Sequence, residues 1–256
     1  MRRILARPHR EVLREFVWSN VLLAFDYDGT LAPIVDDPER ALMRRGTRAL
    51  LEQVTRSYPV VIISGRAQLD VQRLLRGIHV SAVIGNHGIE PWSAAPSHQA
   101  EVERWLPQLE ERLLPFRGVI IENKSYSLAI HYRKSREKKL ARTAILEAAA
   151  SLGAVRIVGG KQVVNVLPEG APHKGIALER ERARLRCDTA IYVGDDDTDE
   201  DVFALDQPGR LLTIRVGSKQ TSAASYCIPS QRAIDDLLQA LLDLRQACSE
   251  RRKDLA

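Results

Sequence analysis

Short apolar runs alternate with amphipathic stretches over the first and last thirds of the chain. The short apolar runs are typical of buried strands, and apolar residues at three- and four-residue spacing predict helices. Strands are predicted over 21–28, 59–63, 80–85, 189–194 and 211–216, and helices over 8–18, 44–57, 71–75, 173–185 and 234–244, with a frayed charged tail from Glu250. Strands that alternate with helices predict an α/β fold built on a doubly wound parallel sheet.

The pattern changes between residues 95 and 170, where helix and hairpin alternate twice. The predicted elements are a helix over 102–113 that starts or kinks at Pro107, strands 119–122 and 127–132, a helix over 135–152, and strands 155–158 and 162–167 with their turn at Gly159 and Gly160. Proline and small polar residues predict a loop at 33–38 and linkers at 93–97 and 168–172. We therefore predict a core domain of residues 1–94 and 171–256, interrupted by a small α+β domain of residues 95–170 that opens and closes over it.

Composition and charge favour a globular protein that binds an anion. Of the 256 residues 45% are apolar and 28% charged, with a net charge of +5 and a pI near 9.2. Residues 98–170 hold 12 basic and 8 acidic side chains, so most of the positive excess lies in the inserted domain. A nucleic-acid partner would also suit a basic chain, but aromatic residues make up only 5% and no dense basic run contains them.

The three cysteines and the terminal sequence indicate the compartment. Cys187, Cys227 and Cys248 are far apart and odd in number, which is typical of free thiols in a reducing cytosol. The first residues lack an apolar run of signal-peptide length, and no apolar run reaches the length of a membrane span. We expect a soluble, cytoplasmic monomer with neither a membrane nor a nucleic acid as partner.

Four polar features coincide with predicted strand ends or a helix start. Asp26 and Asp28 end the strand that begins at Val21, and Ser64 ends the next strand. Lys174 opens a helix, and an acidic cluster from Asp195 follows another strand. In a parallel sheet such ends meet at one crevice. A carboxylate nucleophile, a hydroxyl, a lysine and a cation held by carboxylates together suit phosphoryl transfer.

These features resemble the four motifs of the haloacid dehalogenase (HAD) superfamily, and more narrowly the trehalose-6-phosphate phosphatases. The matching stretches are Asp26-Tyr27-Asp28-Gly29-Thr30, Gly194 to Phe203, Glu122-Asn123-Lys124 with His131-Tyr132-Arg133, and Gly85-Asn86-His87-Gly88. The resemblance covers nearly the whole chain. It implies a HAD-like parallel-sheet core with an inserted cap of the C2B type, and a Mg²⁺-dependent phosphatase that hydrolyses trehalose 6-phosphate through an aspartyl-phosphate.

The resemblance also implies a role for each matching residue. Asp26 is expected as the nucleophile, Asp28 as general acid and then general base, and Ser64 and Lys174 as ligands of the phosphoryl oxygens. The expected metal site consists of Asp26, Asp28, Asp195, Asp196 and Asp199. The expected substrate contacts are Arg66, His87, Glu122, Lys124, Arg133, Lys161 and Asn165.

Asn165 departs from the family pattern, which has a glutamate shortly before a proline at this place, and the loop from there to Lys174 is one residue longer. An asparagine keeps hydrogen-bonding groups but loses the charge. A phosphatase for another sugar phosphate, of the sucrose or glucosylglycerol type, is therefore an alternative. A non-enzymatic role, as a sugar-phosphate sensor or a receiver-like module, stays open as well, although a simple receiver needs neither an inserted domain nor Asp28.

Overall fold

The chain forms two sheets flanked by helices. In the computed structural model, which describes residues 1–35, 40–91, 96–205 and 207–254, the strands are β1 (Arg2–Arg3), β2 (Val21–Phe25), β3 (Val60–Ile63), β4 (Ala82–Ile84), β5 (Ile120–Asn123), β6 (Leu128–His131), β7 (Val155–Gly160), β8 (Val163–Pro168), β9 (Thr189–Gly194), β10 (Leu211–Val216) and β11 (Tyr226–Ile228). The helices are α1 (Arg10–Trp18), α2 (Arg45–Ser57), α3 (Gln68–Leu74), α4 (Pro96–Leu113), α5 (Lys138–Ala150), α6 (Lys174–Arg184), α7 (Glu200–Phe203) and α8 (Ile234–Asp254).

The larger sheet has seven parallel strands in the order β1-β11-β10-β9-β2-β3-β4. Its strands are apolar on both faces, as strands covered on both sides must be. Leu23 and Phe25 belong to the cluster that contains residues of α1, α2 and α8, whereas Leu22 and Ala24 belong to the cluster with α6 and α7. This is the doubly wound α/β core that the alternation of elements predicted.

The smaller sheet is antiparallel, in the order β5-β6-β8-β7, and α4 and α5 pack against one of its faces. We refer to residues 96–168, which form this sheet and these two helices, as the antiparallel unit. Trp105 and Leu109 of α4 and Ile145 of α5 are buried against Ile130 and Val164 of the sheet. The unit therefore has an apolar core of its own, separate from the clusters of the larger sheet.

Several predicted boundaries are wrong. Gly159 and Gly160 lie inside β7, paired with Val164 and Val163, and the turn falls at Lys161 and Gln162 instead. A glycine pair does not end a strand when its backbone groups have partners in the sheet. In this turn Gln162 adopts a left-handed conformation, with φ of 63°.

Two helices, α4 and α8, extend beyond their predicted boundaries. α4 begins at Pro96, well before Pro107, and continues through that proline; Pro96 and Ser97 are thus helical and not linker. α8 runs to Asp254, so the charged tail predicted to be frayed from Glu250 is helical to that point. Polar residues on the exposed face of a long amphipathic helix are compatible with its continuation.

The parts of the predicted loop at 33–38 and linker at 93–97 that fall on 36–38 and 93–95 lie outside the described residues. The sequence prediction also missed β1, β11 and α7, which are short.

None of the helices in the described ranges combines the length and the apolar character that a bilayer crossing requires.

Candidate active site

The carboxyl ends of β2 and β9 lie side by side at the centre of the parallel sheet. Phe25 pairs with Val193, and the amide of the next residue, Asp26, donates a hydrogen bond to the Val193 carbonyl at 2.9 Å. From these two strands the chain builds outward in opposite directions, to β3 and β4 on one side and to β10 and β11 on the other. Asp26 therefore lies at the topological switch point, where open α/β sheets bind their ligands.

Lys174 joins Asp26 to the acidic loop that follows β9. It is the first residue of α6, and its fully buried amine donates to Oδ1 of Asp26 at 2.9 Å and to Oδ1 of Asp199 at 2.8 Å. Burial by itself lowers the pKa of Lys174, but the carboxylates of Asp199 and Asp26 outweigh it and raise that pKa well above its ordinary value. Lys174 is therefore a fixed positive charge beside Asp26.

Asp199 holds the acidic loop in shape. Its Oδ1 accepts bonds from Lys174 and from the buried Tyr192 hydroxyl at 2.6 Å, and its Oδ2 accepts from the backbone amides of Asp195 at 2.7 Å and Asp196 at 2.9 Å. Burial by itself raises the pKa of Asp199. The charge of Lys174 and the hydrogen bonds from Lys174 and the Tyr192 hydroxyl lower it by more, so the pKa of Asp199 lies below its ordinary value. Both oxygens of this ionised group are thus occupied by protein donors.

Asp26, Asp195 and Asp199 form a buried cluster in which one oxygen from each carboxylate lies within 4.8 Å of the others. Oδ2 of Asp195 accepts a bond from Lys161 at 2.9 Å, whereas its buried Oδ1 has no hydrogen-bond partner among the described residues. A Cβ placed on Gly29, whose φ is +82°, would lie 2.2 Å from Oδ2 of Asp195, so glycine is needed for the carboxylate to fit there. A free carboxylate oxygen beside two further carboxylates is a donor set that a hard divalent cation prefers.

The remaining predicted metal-site residues, Asp196 and Asp28, lie at the edge of this cluster. Oδ1 of Asp196 accepts two bonds from Thr198, and burial raises the pKa of Asp196 to about 7. The Asp28 carboxylate accepts a bidentate pair from Arg66, at 2.6 Å from Nε and 2.7 Å from Nη2. Arg66 thus fixes the half-buried Asp28 carboxylate, two residues after Asp26.

Ser64 and His87 follow β3 and β4, the two strands on the other side of β2. Ser64 is buried, and its hydroxyl accepts a bond from the Arg66 amide at 3.2 Å. His87 is 4% exposed, and neither of its ring nitrogens has a hydrogen-bond partner in the described parts of the chain. Burial lowers the pKa of His87 well below its ordinary value, and Lys124 and Lys174 lower it further. The neutral ring therefore offers one donor and one acceptor to a ligand.

The antiparallel unit places basic side chains over this edge of the sheet. Lys161, in the turn between β7 and β8, reaches Asp195 as described above. Lys124, which directly follows β5, donates to the Gly65 carbonyl at 3.0 Å. Asn165, in β8, is 5% exposed and lies near His87. It also lies near the acidic loop, because a Cβ placed on Gly160 would be 3.8 Å from Nδ2 of Asn165 and 3.7 Å from Oδ2 of Asp196.

Two predicted substrate contacts lie toward the outside of this group. Oε2 of Glu122 is 2.8 Å from Nε2 of His131 and 4.0 Å from Nζ of Lys124, and the bond with His131, together with Lys124, lowers the pKa of Glu122 although burial opposes the shift. Arg133 donates to the Val35 carbonyl at 3.2 Å, so it contacts the loop that follows the two aspartates. The structure therefore brings residues from both sheets to one crevice, with Arg133 at its border.

Sequence reasoning missed three residues that shape the crevice. Tyr192 donates to Asp199, and the buried Arg215 at the end of β10 donates to the Asp195 and Asp196 carbonyls, the latter at 3.1 Å. Asn86 contacts the antiparallel unit with its side chain. Tyrosine and arginine in otherwise apolar strands were a possible signal for the first two, because a buried hydroxyl or guanidinium needs a polar partner. Asn86 lies within the Gly85-Asn86-His87-Gly88 stretch that matches the family, but no signal in the sequence indicated its contacts with Lys124 and Ser127.

The chain was compared with known protein families, sequences and solved structures. The family model described as trehalose-phosphatase matches residues 24–230. A trehalose-phosphate phosphatase of Mycobacterium ulcerans is 35% identical over 196 residues, which cover 70% of this chain and 50% of that protein. A trehalose 6-phosphate phosphatase of Zea mays is 30% identical over 261 residues, which cover 90% of this chain and 72% of that protein. The chain thus spans about half the length of the mycobacterial relative.

Among solved structures, the C-terminal domain of a Candida albicans trehalose-6-phosphate phosphatase matches with a TM-score of 0.79 and 23% sequence identity. The match covers 96% of this chain and 99% of that one. At this identity the likeness shows a shared fold, and it extends over both sheets.

Proposed function

The chain belongs to the trehalose-phosphatase family of the HAD superfamily, and from that premise we propose that it is a Mg²⁺-dependent phosphatase that hydrolyses trehalose 6-phosphate to trehalose and phosphate. The observation that carries the proposal is the contact of Lys174 with both Asp26 and Asp199 at the switch point of the sheet. It places a permanent positive charge between a carboxylate that can attack phosphorus and the loop that can hold a cation.

The proposed reaction has two steps. In the first, the Asp28 carboxylate of the free protein has taken up a proton; a carboxylate oxygen of Asp26 attacks phosphorus, the bond between phosphorus and the sugar oxygen breaks, and Asp28 gives that proton to the sugar oxygen. In the second, Asp28 takes a proton from a water molecule, whose oxygen attacks phosphorus and breaks the bond to Asp26. Phosphate leaves, and both carboxyl groups return to their starting states. Arg66 keeps the Asp28 carboxylate in place in the free protein.

Mg²⁺ would be held by Asp26 and Asp195, with the Asp28 carbonyl as a further ligand and with Asp199 and Asp196 orienting the loop. When bound, the ion neutralises charge on the phosphoryl oxygens. The unpaired Oδ1 of Asp195 supports this assignment. Ser64 and Lys174 supply a hydroxyl and an ammonium group to the same oxygens.

We further propose that residues 95–170 act as a cap that selects the sugar, above a core of residues 1–94 and 171–256. Lys124 and Lys161 reach the core from this segment, and Glu122, Asn165 and the neutral His87 offer donors and acceptors for sugar hydroxyls. Asn165, which is uncharged where the family has a glutamate, favours a second candidate: a different sugar phosphate is the alternative substrate.

The test is a substrate panel. Phosphate release is measured from trehalose 6-phosphate, glucose 6-phosphate, sucrose 6-phosphate and glucosylglycerol phosphate, with Mg²⁺ and with chelator. We expect kcat/KM to be highest for trehalose 6-phosphate and activity to be lost with chelator. If another member of the panel has the highest kcat/KM, the second candidate replaces the first. If no phosphate ester is hydrolysed, the protein is not a phosphatase and a sensing role takes its place.

A further inference from the structure

Asn86 connects the two sheets through its side chain. It is fully buried in the short turn after β4. Its Nδ2 donates to the Lys124 carbonyl at 3.0 Å, and its Oδ1 accepts from the Ser127 hydroxyl at 3.1 Å. Ser127 is itself 1% exposed, so its bond to Asn86 is buried, and a polar group left unpaired there would be costly. Asn86 thus binds both ends of the turn between β5 and β6, residues 124–127, which we call the hairpin turn.

The backbone on the core side is equally fixed. The Asn86 amide donates to the Arg66 carbonyl at 2.8 Å, and the amide of the next residue, His87, donates to the Ser64 carbonyl at 3.0 Å. Asn86 itself has φ of 47°, a left-handed conformation that asparagine tolerates better than most residues do. One residue therefore links the hairpin turn to the loop of residues 64–66, which carries Ser64 and Arg66.

Lys124 completes the contact from the other direction. Its amine donates to the Gly65 carbonyl at 3.0 Å, and its own carbonyl accepts from Asn86. The apolar cluster of Ile89, Leu167 and Ala171, with Tyr126 packed against it, adjoins this contact. That cluster does not involve Asn86. Loss of one hydrogen bond of Asn86 therefore leaves the apolar packing between the antiparallel unit and the rest of the chain in place.

We propose that Asn86 is a positioning residue that sets the hairpin turn against the loop of residues 64–66, and that the reaction depends on it only for substrates whose leaving group reaches the antiparallel unit. This inference rests on the proposed phosphatase activity. The phosphoryl group is handled by the core, whereas a sugar extends to Lys124 and its neighbours. A small displacement of the hairpin turn then misplaces the sugar relative to phosphorus, and a misplacement of about 1 Å can lower a rate about a hundredfold.

Asn86→Asp is the most selective variant. Aspartate has the same size, tolerates the left-handed backbone and can still accept from Ser127, but it has no donor for the Lys124 carbonyl. Ser127→Ala removes the second bond without changing that backbone. Asn123→Asp is the matched control, because Asn123 lies in the same hairpin, is exposed, and accepts only from the Ser125 amide among the bonds described for its side chain.

Each variant is assayed with trehalose 6-phosphate and with p-nitrophenyl phosphate, whose leaving group, p-nitrophenolate, is much smaller than a disaccharide. For Asn86→Asp we expect kcat/KM for the sugar phosphate to fall by about 10- to 100-fold, while kcat/KM for the aryl phosphate stays within about twofold of the parent protein. Ser127→Ala should show the same selectivity to a smaller extent, and Asn123→Asp should change neither. An equal loss on both substrates, or no loss on either, would overturn the inference.

Hydrogen–deuterium exchange gives a second readout that does not need the sugar substrate. In Asn86→Asp we expect amides of residues 120–131 to exchange faster, while those of β2 do not change. Unchanged exchange in the hairpin would overturn the inference. A parent protein that hydrolyses the aryl phosphate but no sugar phosphate would contradict the proposed function instead, and the exchange result would still decide the role of Asn86.

Discussion

Asp28→Asn separates the proposed chemistry of Asp28 from its structural role. The asparagine keeps one acceptor oxygen for Arg66 but loses the charge and cannot exchange a proton with a leaving group. Two hydrogen bonds between oppositely charged groups, at 2.6 and 2.7 Å, become one bond from the Arg66 guanidinium to a neutral amide oxygen. Because the side chains of Arg66 and Asp28 are 17% and 33% exposed, solvent screens part of the attraction, and we expect a loss of about 1–2 kcal/mol in the free energy of unfolding.

The loss of activity should be much larger. General acid–base catalysis contributes about 10²- to 10⁴-fold, which corresponds to about 3–5 kcal/mol in the activation barrier. A domain with about 5–15 kcal/mol of stability remains folded after a loss of about 1–2 kcal/mol, so unfolding cannot account for the reduced rate. With the second step slowed as well, the phosphoryl group should accumulate on Asp26.

The assay combines steady-state kinetics, urea unfolding and mass spectrometry of acid-quenched protein incubated with substrate. Asp197→Asn is the control, since Asp197 lies in the acidic loop but is half exposed and forms a surface ion pair with Lys219 at 2.5 Å. It should keep its turnover and lose less than about 1 kcal/mol of stability. Turnover of Asp28→Asn within about threefold of the parent protein would refute the assignment of Asp28 as the proton donor.

Two further predictions concern Gly29 and His87. Gly29→Ala should lower the unfolding free energy by more than Gly153→Ala: both glycines have positive φ, which costs alanine about 1–2 kcal/mol, but only at Gly29 does a Cβ meet Asp195, whereas at Gly153 nothing lies within 4 Å. Urea unfolding measures both, and equal losses would contradict the close packing. The folded-state pKa of His87 lies below its unfolded value of about 6.5, so the unfolded chain binds more protons and stability falls as the pH drops below about 6.5, by at most about 1.4 kcal/mol per pH unit. His87→Asn should show a shallower decline between about pH 7.5 and 5.5 in urea unfolding, and parallel curves for the two proteins would rule out a buried neutral imidazole.

The central part of the site was predictable because its signals are local. Asp26, Ser64 and the loop from Asp195 each follow a short apolar run, and Lys174 begins a helix. Parallel strands bring their carboxyl ends to one edge whatever the details of packing, so the grouping of these residues follows from the order of elements alone.

Contacts between distant segments were not predictable in this way. The pairing of Asn86 with Ser127 joins residues 41 positions apart, and no periodicity in the sequence records it. The error at Gly159 and Gly160 has a similar cause, because the partner strand β8 determines whether a glycine pair remains in a sheet. Propensity describes a residue by itself, whereas the Asn86–Ser127 bond and the place of the glycine pair in the sheet depend on the segments that contact these residues in the fold.

Three bonds between the antiparallel unit and the rest of the chain have a main-chain carbonyl as acceptor, and this has a consequence for divergence among related proteins. Lys124 donates to the Gly65 carbonyl, Arg133 to the Val35 carbonyl, and Asn86 to the Lys124 carbonyl. A main-chain carbonyl is present whichever amino acid occupies the position, so these contacts tolerate sequence drift in the partner segment. Residues 96–168 are also continuous in the chain, so homologous segments should be exchangeable between members of the family where the side-chain pairs Lys161–Asp195 and Ser127–Asn86 are kept. Under the proposed role of this unit in selecting the sugar, such chimeras would carry the substrate preference of the donor protein on the catalytic residues of the recipient.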